Sequence, residues 1–330
     1  MRDDTPTTPT TELPPAEASL KAGFTPYGHH ADSLFQECPQ KYQYALRRNL
    51  STQGYSTPLV AGSALHAGLH VYHHPSTKGD ASLKFLQATI AAEKIMDEVP
   101  HAARTFDGEN WWDMMHFDVL RMLRGYADTY GDPAHTPWIV RGLEEDFDIE
   151  VPTPRILDKD GKPILVRMTG RWDGLIELTE GPAAGALVTL EHKTTSDELD
   201  VMVRRYRLDA QNARYCIAAE HKHSKRVRGV MLNIVKKPKG TRKPMYKRQL
   251  ITYTDEELAH HLDEIAVIRI QQSICDQTGI WPRNGQWFTG SCYRNYRWCE
   301  FWSLCAYGES MGALAEFRPP ITEPTDEPKE

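Results

Sequence analysis

Two short stretches, GRWDG at residues 170–174 and EHK at residues 191–193, decide the predicted fold and the predicted site. The first lies inside ILVRMTGRWDGLIEL (164–178) and the second inside ALVTLEHKTTS (186–196). Both segments are rich in β-branched and apolar residues, so each predicts a β-strand. Consecutive strands usually lie side by side, so the two stretches are expected to be neighbours in one sheet.

Three charged side chains are expected to meet on these strands. Glu191 and Lys193 are two positions apart, so their side chains share one face of the strand. Asp173 stands in an apolar segment, where a charge without a partner is costly. Carboxylates prefer hard cations such as Mg²⁺ or Mn²⁺, so the pattern predicts a divalent-metal site. Taken alone, the Glu–Lys pair has a second interpretation as an ordinary exposed strand edge.

The rest of the chain predicts an α/β fold, because helical and alternating patterns follow one another. A helix is expected to begin near Ser33, with Pro39 as its break or its true start. Further helices are predicted over 62–73, 81–98, 110–130, 200–220 and 255–276, and further strands over 138–152, 228–237 and 246–254.

The predicted organisation is one domain over residues 24–317, with a helical insert at 80–135 and a cysteine-rich segment at 280–310. Residues 1–23 and 318–330 are rich in Pro, Thr and Glu, which predicts disordered tails. No stretch has the apolar length of a membrane span or of a secretory signal. A cytoplasmic location without membrane association is therefore the expectation.

The net charge of −6 hides a strongly basic segment. Residues 201–250 hold fifteen Lys or Arg against two acids, which gives 15 − 2 = +13. A local basic surface of this kind is typical of phosphate-backbone binding, although a solvated basic loop is the alternative. The predicted DNA-binding residues are Arg204, Arg205, Arg207, Lys236, Lys237, Lys239, Arg242 and Lys243.

Two helical positions add candidate site residues. Gln211 and Tyr215 are four apart, so they share one helix face beside the predicted site, although a plain helix surface would show the same spacing. His66 is a candidate metal ligand through its neutral imidazole, although a histidine that is merely hydrogen-bonded is the alternative.

Cysteine spacing predicts a second metal-binding site. Cys292, Cys299 and Cys305 form C-x6-C-x5-C, and Cys38 lies far upstream. Four thiolates can hold a [4Fe–4S] cluster or a Zn²⁺ ion, whereas ordinary buried thiols are the alternative. Disulfides are not expected in a chain without an export signal.

Together these motifs resemble the PD-(D/E)XK nuclease superfamily, and within it the RecB-like branch of CRISPR-adaptation nucleases and phage exonucleases. The resemblance rests on CPQKY at 38–42, Gly62-x3-His66, GRWDG at 170–174, EHK at 191–193 and Gln211-x3-Tyr215. It implies a restriction-endonuclease-like fold, in which helices flank a mixed central sheet. The interval from Asp173 to Glu191 is longer than in the compact form of the motif, and we interpret it as a lengthened hairpin.

The resemblance also implies roles for individual residues. His66, Asp173, Glu191 and the backbone carbonyl of His192 would bind Mg²⁺ or Mn²⁺. Lys193 would be the catalytic lysine, and Gln211 and Tyr215 would contact DNA near the scissile phosphate. Cys38, Cys292, Cys299 and Cys305 would hold a [4Fe–4S] cluster that joins the ends of the domain, with structural Zn²⁺ as the alternative.

The predicted function is a metal-dependent DNA exonuclease that acts at DNA ends or on single strands. The alternatives are a DNA-binding or assembly module without catalysis and a site-specific endonuclease. Phage recombination, DNA repair and CRISPR adaptation are all compatible pathways, and a recombination or repair protein is a candidate partner.

Overall fold

The computed structural model describes residues 27–52, 57–99, 111–285, 290–294, 297–308 and 317–318. The chain divides into two compact units, one made of residues 1–53 with 271–330 and the other of residues 54–270. The predicted tails lie outside the described residues except for Arg318, which pairs with Ser51. Among the described helices, none is long and apolar enough to cross a membrane.

The 54–270 unit is built on a five-stranded mixed sheet. The strands are β2 (Trp138–Leu157), β3 (Pro163–Leu178), β4 (Leu187–Thr195), β5 (Val227–Lys236) and β6 (Met245–Thr252). They lie side by side in this order, and only β4 and β5 run parallel. This arrangement confirms the predicted α/β, restriction-endonuclease-like fold.

Two helices connect the parallel strands, where the sequence predicted one helix over 200–220. They are α6 (Leu199–Arg207) and α7 (Ala210–His223). The Asp209 side chain accepts a hydrogen bond from the Gln211 backbone N–H, so it caps a new helix instead of continuing the old one. Parallel neighbours need a crossover of this length, whereas antiparallel ones need only a short turn.

The predicted helical insert at 80–135 contains α4 (Ala81–Asp97) and α5 (Trp111–Tyr130), and α3 (Thr57–His73) precedes it and packs with them. These helices enclose their own apolar core. The hydroxyl of Tyr246 on β6 donates to the Met122 carbonyl at 2.8 Å. A Cβ added at Gly125 would lie 2.4 Å from that hydroxyl oxygen, so glycine permits the close approach. The largest fully buried side chains of this core are Leu65, Leu69, Met96, Met122 and Tyr126.

Both faces of the sheet are covered by apolar side chains. One face packs on α7 and on the first half of α8 (Asp255–Thr278), around the fully buried Trp172. A smaller cluster, which includes Ile176 and Leu190, covers the other face. Because both faces are covered, residues 188–192 of β4 are all buried, including the polar ones.

The other unit contains both ends of the described chain. The helix predicted near Ser33 is α1 (His29–Glu37), and it ends before Pro39. Cys38 is extended, as the residue before a proline usually is, and α2 (Pro39–Tyr42) follows with a π-helical turn over Gln43–Arg47. The remaining elements are β1 (Ser51–Thr52), β7 (Tyr293–Arg294), β8 (Arg297–Trp298), α9 (Trp302–Tyr307) and β9 (Phe317–Arg318).

Candidate active site

The register of two neighbouring strands places the two predicted carboxylates together. Gly174 of β3 pairs with Leu190 of β4, so Asp173 and Glu191 face each other at the next position. The backbone N–H of His192 donates to Asp173 Oδ2 at 2.6 Å. A hairpin loop joins the two strands, and Gly181 and Gly185 in this loop have positive φ angles.

Lys193 lies between the Glu191 carboxylate and α7. Its Nζ is 2.5 Å from Glu191 Oε1 and donates to Gln211 Oε1 at 2.9 Å. Gln211 Nε2 in turn donates to the Tyr215 hydroxyl at 2.7 Å. The four predicted side chains therefore form one continuous chain of contacts from β4 to α7.

The imidazole of His66 extends from α3 to the same carboxylates. Its Nδ1 is 3.5 Å from Asp173 Oδ1, and its ring lies edge-on to the ring of His192. The structure thus brings the side chains of three predicted metal ligands, His66, Asp173 and Glu191, to the point where the pairing of β3 and β4 ends.

Burial sets these groups far apart in proton affinity. Burial and repulsion from Asp173 raise the pKa of Glu191 to about 7. Burial opposes ionisation of Asp173, but His66 and the His192 N–H outweigh it and lower the pKa of Asp173 well below its usual value. Burial acts against protonation of His66, yet the attraction of Asp173 raises the pKa of His66 to about 9. Burial likewise opposes the charge of Lys193, but Glu191 raises the pKa of Lys193 above its usual value.

One buried oxygen indicates that a cation fits here. Glu191 is 2% exposed, and its Oε2 has no hydrogen-bond partner among the described residues. A buried carboxylate oxygen without a partner is costly, and repulsion between Glu191 and Asp173 adds to that cost. A divalent cation would remove both penalties. Among the residues that the structure describes, no three His, Cys, Asp or Glu side chains are close enough to form a complete ligand set.

The sequence profile of the PD-(D/E)XK nuclease superfamily matches residues 31–306. The chain belongs to this superfamily. A search of functionally curated proteins found no match.

Two solved structures are similar to this superfamily member. One is a protein from Eubacterium rectale, provisionally named an exonuclease, with 12% identity and a TM-score of 0.43 over 78% of this chain and 83% of that chain. The other is SSO0001, with 11% identity and a TM-score of 0.27 over 66% of this chain and 88% of that one.

Behind the carboxylates of this superfamily site lies a buried polar network that the sequence did not reveal. Asn233 of β5 contacts His192 Nδ1 through its Nδ2 at 2.7 Å and donates to the Tyr126 hydroxyl at 3.0 Å. His73 Nε2 is 2.8 Å from the same hydroxyl, and Arg248 donates to it at 2.7 Å. The network fixes the His192 ring, because the ring of His73 also stacks on it.

Burial keeps both histidines of this network neutral. Burial lowers the pKa of His192 to about 3 and lowers the pKa of His73 well below its usual value. Neither residue carries a recognisable sequence signal, because a histidine in a helix or strand has no characteristic spacing.

The predicted DNA-binding cations differ in their surroundings. The ion pairs among them are Arg205 with Asp197, Arg207 with Glu257, and Lys236 with Glu198. By contrast, Lys239, Arg242 and Lys243 are exposed and have no carboxylate partner among the described residues. These three cations lie within residues 237–244, which we call the basic loop.

The four predicted cluster cysteines lie in one neighbourhood of the other unit, but among the described residues no three of them are close enough to hold a metal ion. Cys305 interacts electrostatically with Cys38 and Cys292, and Cys299 with Cys305. The Cys299 backbone N–H donates to the Cys292 carbonyl at 2.7 Å. All of them are free thiols, and burial raises the pKa of Cys299 to about 11.

Proposed function

We propose that the protein is a metal-dependent deoxyribonuclease of the RecB-like type, which hydrolyses phosphodiester bonds at DNA ends or on single strands. The observation that carries this proposal is the meeting of Asp173, Glu191 and Lys193 at one point, with a buried Glu191 oxygen that has no partner. A buried carboxylate oxygen in a purely structural ion pair usually has a hydrogen-bond partner.

The cation would be held by His66, Asp173, Glu191 and the carbonyl of His192. When bound, Mg²⁺ or Mn²⁺ supplies Lewis acidity toward a phosphoryl oxygen and lowers the pKa of water. Oxygen ligands from two carboxylates and a carbonyl suit these hard cations. The hydrogen bond from the His192 N–H keeps Asp173 oriented toward the cation.

Lys193 would act as the catalytic lysine. Contacts with Glu191 and Gln211 hold its ammonium group in place, so little reorganisation is needed when a phosphate arrives. It would orient the attacking water or offset the negative charge that develops on the phosphate. Gln211, which the buried Tyr215 hydroxyl holds in place on α7, would contact the DNA backbone near the scissile phosphate.

Cleavage of end-labelled DNA tests the proposal. Wild-type protein with Mg²⁺ or Mn²⁺ should degrade single- or double-stranded DNA, and Lys193→Ala should lose about 100-fold or more of the rate. Lys225→Ala, an exposed lysine at the start of β5, is the matched control and should cleave normally. A Lys193→Ala variant as active as wild type would refute the mechanism.

The same substrates separate the two alternatives. Retained DNA binding without cleavage under any divalent metal would favour a binding or assembly module. Cleavage of circular DNA would favour an endonuclease, because an enzyme that needs ends leaves a circle intact.

We further propose that Cys38, Cys292, Cys299 and Cys305 bind a [4Fe–4S] cluster, with Zn²⁺ as the alternative occupant. Their shared neighbourhood and their free thiols support this proposal. The purified protein should absorb light at roughly 400 nm and should contain iron. A colourless protein with stoichiometric zinc would rule out iron. A Cys305→Ser variant that keeps its full metal content would rule out this ligand set.

A further inference from the structure

An exposed aromatic ring lies beside the basic loop. Phe117, on α5, is 61% exposed. The guanidinium of Arg121, one helical turn later, lies 5.2 Å from the centre of the ring. Most of the Phe117 side chain therefore remains open to solvent next to a fixed positive charge.

Arg121 also holds the basic loop in place. Its Nη1 donates to the Gly240 carbonyl at 2.9 Å, and its Nη2 donates to the Arg242 carbonyl. Asp118 lies 3.3 Å from the same guanidinium, so its negative charge is offset. One side chain thus fixes the distance between the aromatic ring and the exposed cations of the loop.

The basic loop begins where the parallel strands β4 and β5 end. The Lys237 backbone N–H donates to the Thr195 carbonyl at 2.7 Å. Thr195 is two residues beyond Lys193 on β4, which is about 7 Å of strand. A nucleic-acid strand along the loop would therefore lead directly to the carboxylates.

We propose that Phe117 is a base-stacking site for single-stranded DNA whose phosphates bind Lys239, Arg242 and Lys243. Stacking on an aromatic ring requires a free base face, which a single strand offers at every position and a duplex does not. Exposed cations beside an open ring match the alternation of phosphates and bases in a strand. The site rests on the proposed nuclease function and selects the form of DNA that enters it.

Binding titrations with the full chain test this site. A fluorescently labelled 20-nucleotide strand and the corresponding duplex would be titrated in chelator, which prevents cleavage. Phe117→Ala should weaken single-strand binding by about five- to 150-fold, the range expected for one stacked base, while duplex binding changes by less than about twofold. Phe117→Trp should retain single-strand binding, because it keeps an aromatic face.

Two controls isolate stacking from general loss of structure. Leu86→Ala removes another exposed apolar side chain, on α4, and should leave both affinities unchanged. A strand made of abasic sugar-phosphate should bind wild type and Phe117→Ala equally. Equal weakening of strand and duplex binding by Phe117→Ala, or no weakening at all, would overturn the proposal.

Cleavage assays distinguish failure of this site from failure of the proposed function. Single-strand binding that depends on Phe117, without cleavage in any metal, would support the stacking site and refute the nuclease. Cleavage that is indifferent to Phe117 would support the nuclease and refute the stacking site.

Discussion

The hydroxyl of Tyr126 is the hub of the network behind the site, and its removal has a calculable cost. In a Tyr126→Phe variant, His73, Asn233 and Arg248 would each lose a contact of 3.0 Å or less in the interior of the protein. Arg248 retains other acceptors, among them the Thr136 hydroxyl, and Asn233 retains the His192 ring. His73 is buried, and its Nε2 would be left without a hydrogen-bond partner among the described residues.

An unsatisfied buried polar group costs about 1–3 kcal/mol, and a typical hydrogen bond contributes about 1 kcal/mol. One unsatisfied histidine nitrogen and two partly replaced hydrogen bonds therefore sum to about 2–4 kcal/mol of lost stability. Burial also raises the pKa of Tyr126 to about 12, so the hydroxyl is neutral at every pH used for the assay.

Urea unfolding followed by circular dichroism measures this loss as a change in the free energy of unfolding. Tyr130→Phe is the matched control on the same helix, because no hydrogen bond of the Tyr130 hydroxyl occurs among the described residues. It should change the free energy by less than about 0.5 kcal/mol. A loss below about 1 kcal/mol for Tyr126→Phe, or equal losses in both variants, would refute the reasoning.

Three further outcomes are expected. The apparent affinity for Mn²⁺ should fall about tenfold per pH unit from pH 9 to 7, and faster below pH 7. The reason is that a cation must displace a proton from His66, with a pKa of about 9, and below pH 7 also from Glu191, with a pKa of about 7. In a His66→Ala variant, the Mn²⁺ affinity measured by calorimetry should no longer depend on pH between 7 and 9. An unchanged slope would contradict this explanation. Asp209→Ala should reduce the free energy of urea unfolding by about 1 kcal/mol through loss of the α7 cap, and no change would mean that the cap is dispensable. Gly125→Ala should reduce the free energy of unfolding by about 1–3 kcal/mol and lower the melting temperature, because the new methyl group would collide with Tyr246. A melting temperature equal to that of wild type would show that the helix can shift.

The sequence predicted most elements of the fold because their signals are local. Alternation of apolar residues located the strands, and helical spacing located α3, α4 and α5 to within a few residues. The single helix expected over 200–220 was wrong, because the cap formed by Asp209 is as local as the helical pattern and competes with it. Strand β2 extends to Leu157, beyond the alternating segment, because its partner β3 begins at Pro163 and supports it.

The candidate site divides in the same way. The meeting of Asp173, Glu191 and Lys193 followed from the sequence alone, because a period of two and one hairpin fix their relative positions. The buried network around His192 was decided only by tertiary structure: Asn233 and Tyr126 are 107 residues apart, and no spacing rule spans that interval. Tertiary structure also decided which basic residues form ion pairs. The sequence gives their number, but only packing determined that Arg205 and Lys236 have acidic partners, whereas Lys239 has none among the described residues. Contacts within one element or hairpin are set by backbone geometry, whereas contacts between distant elements depend on how their apolar faces pack.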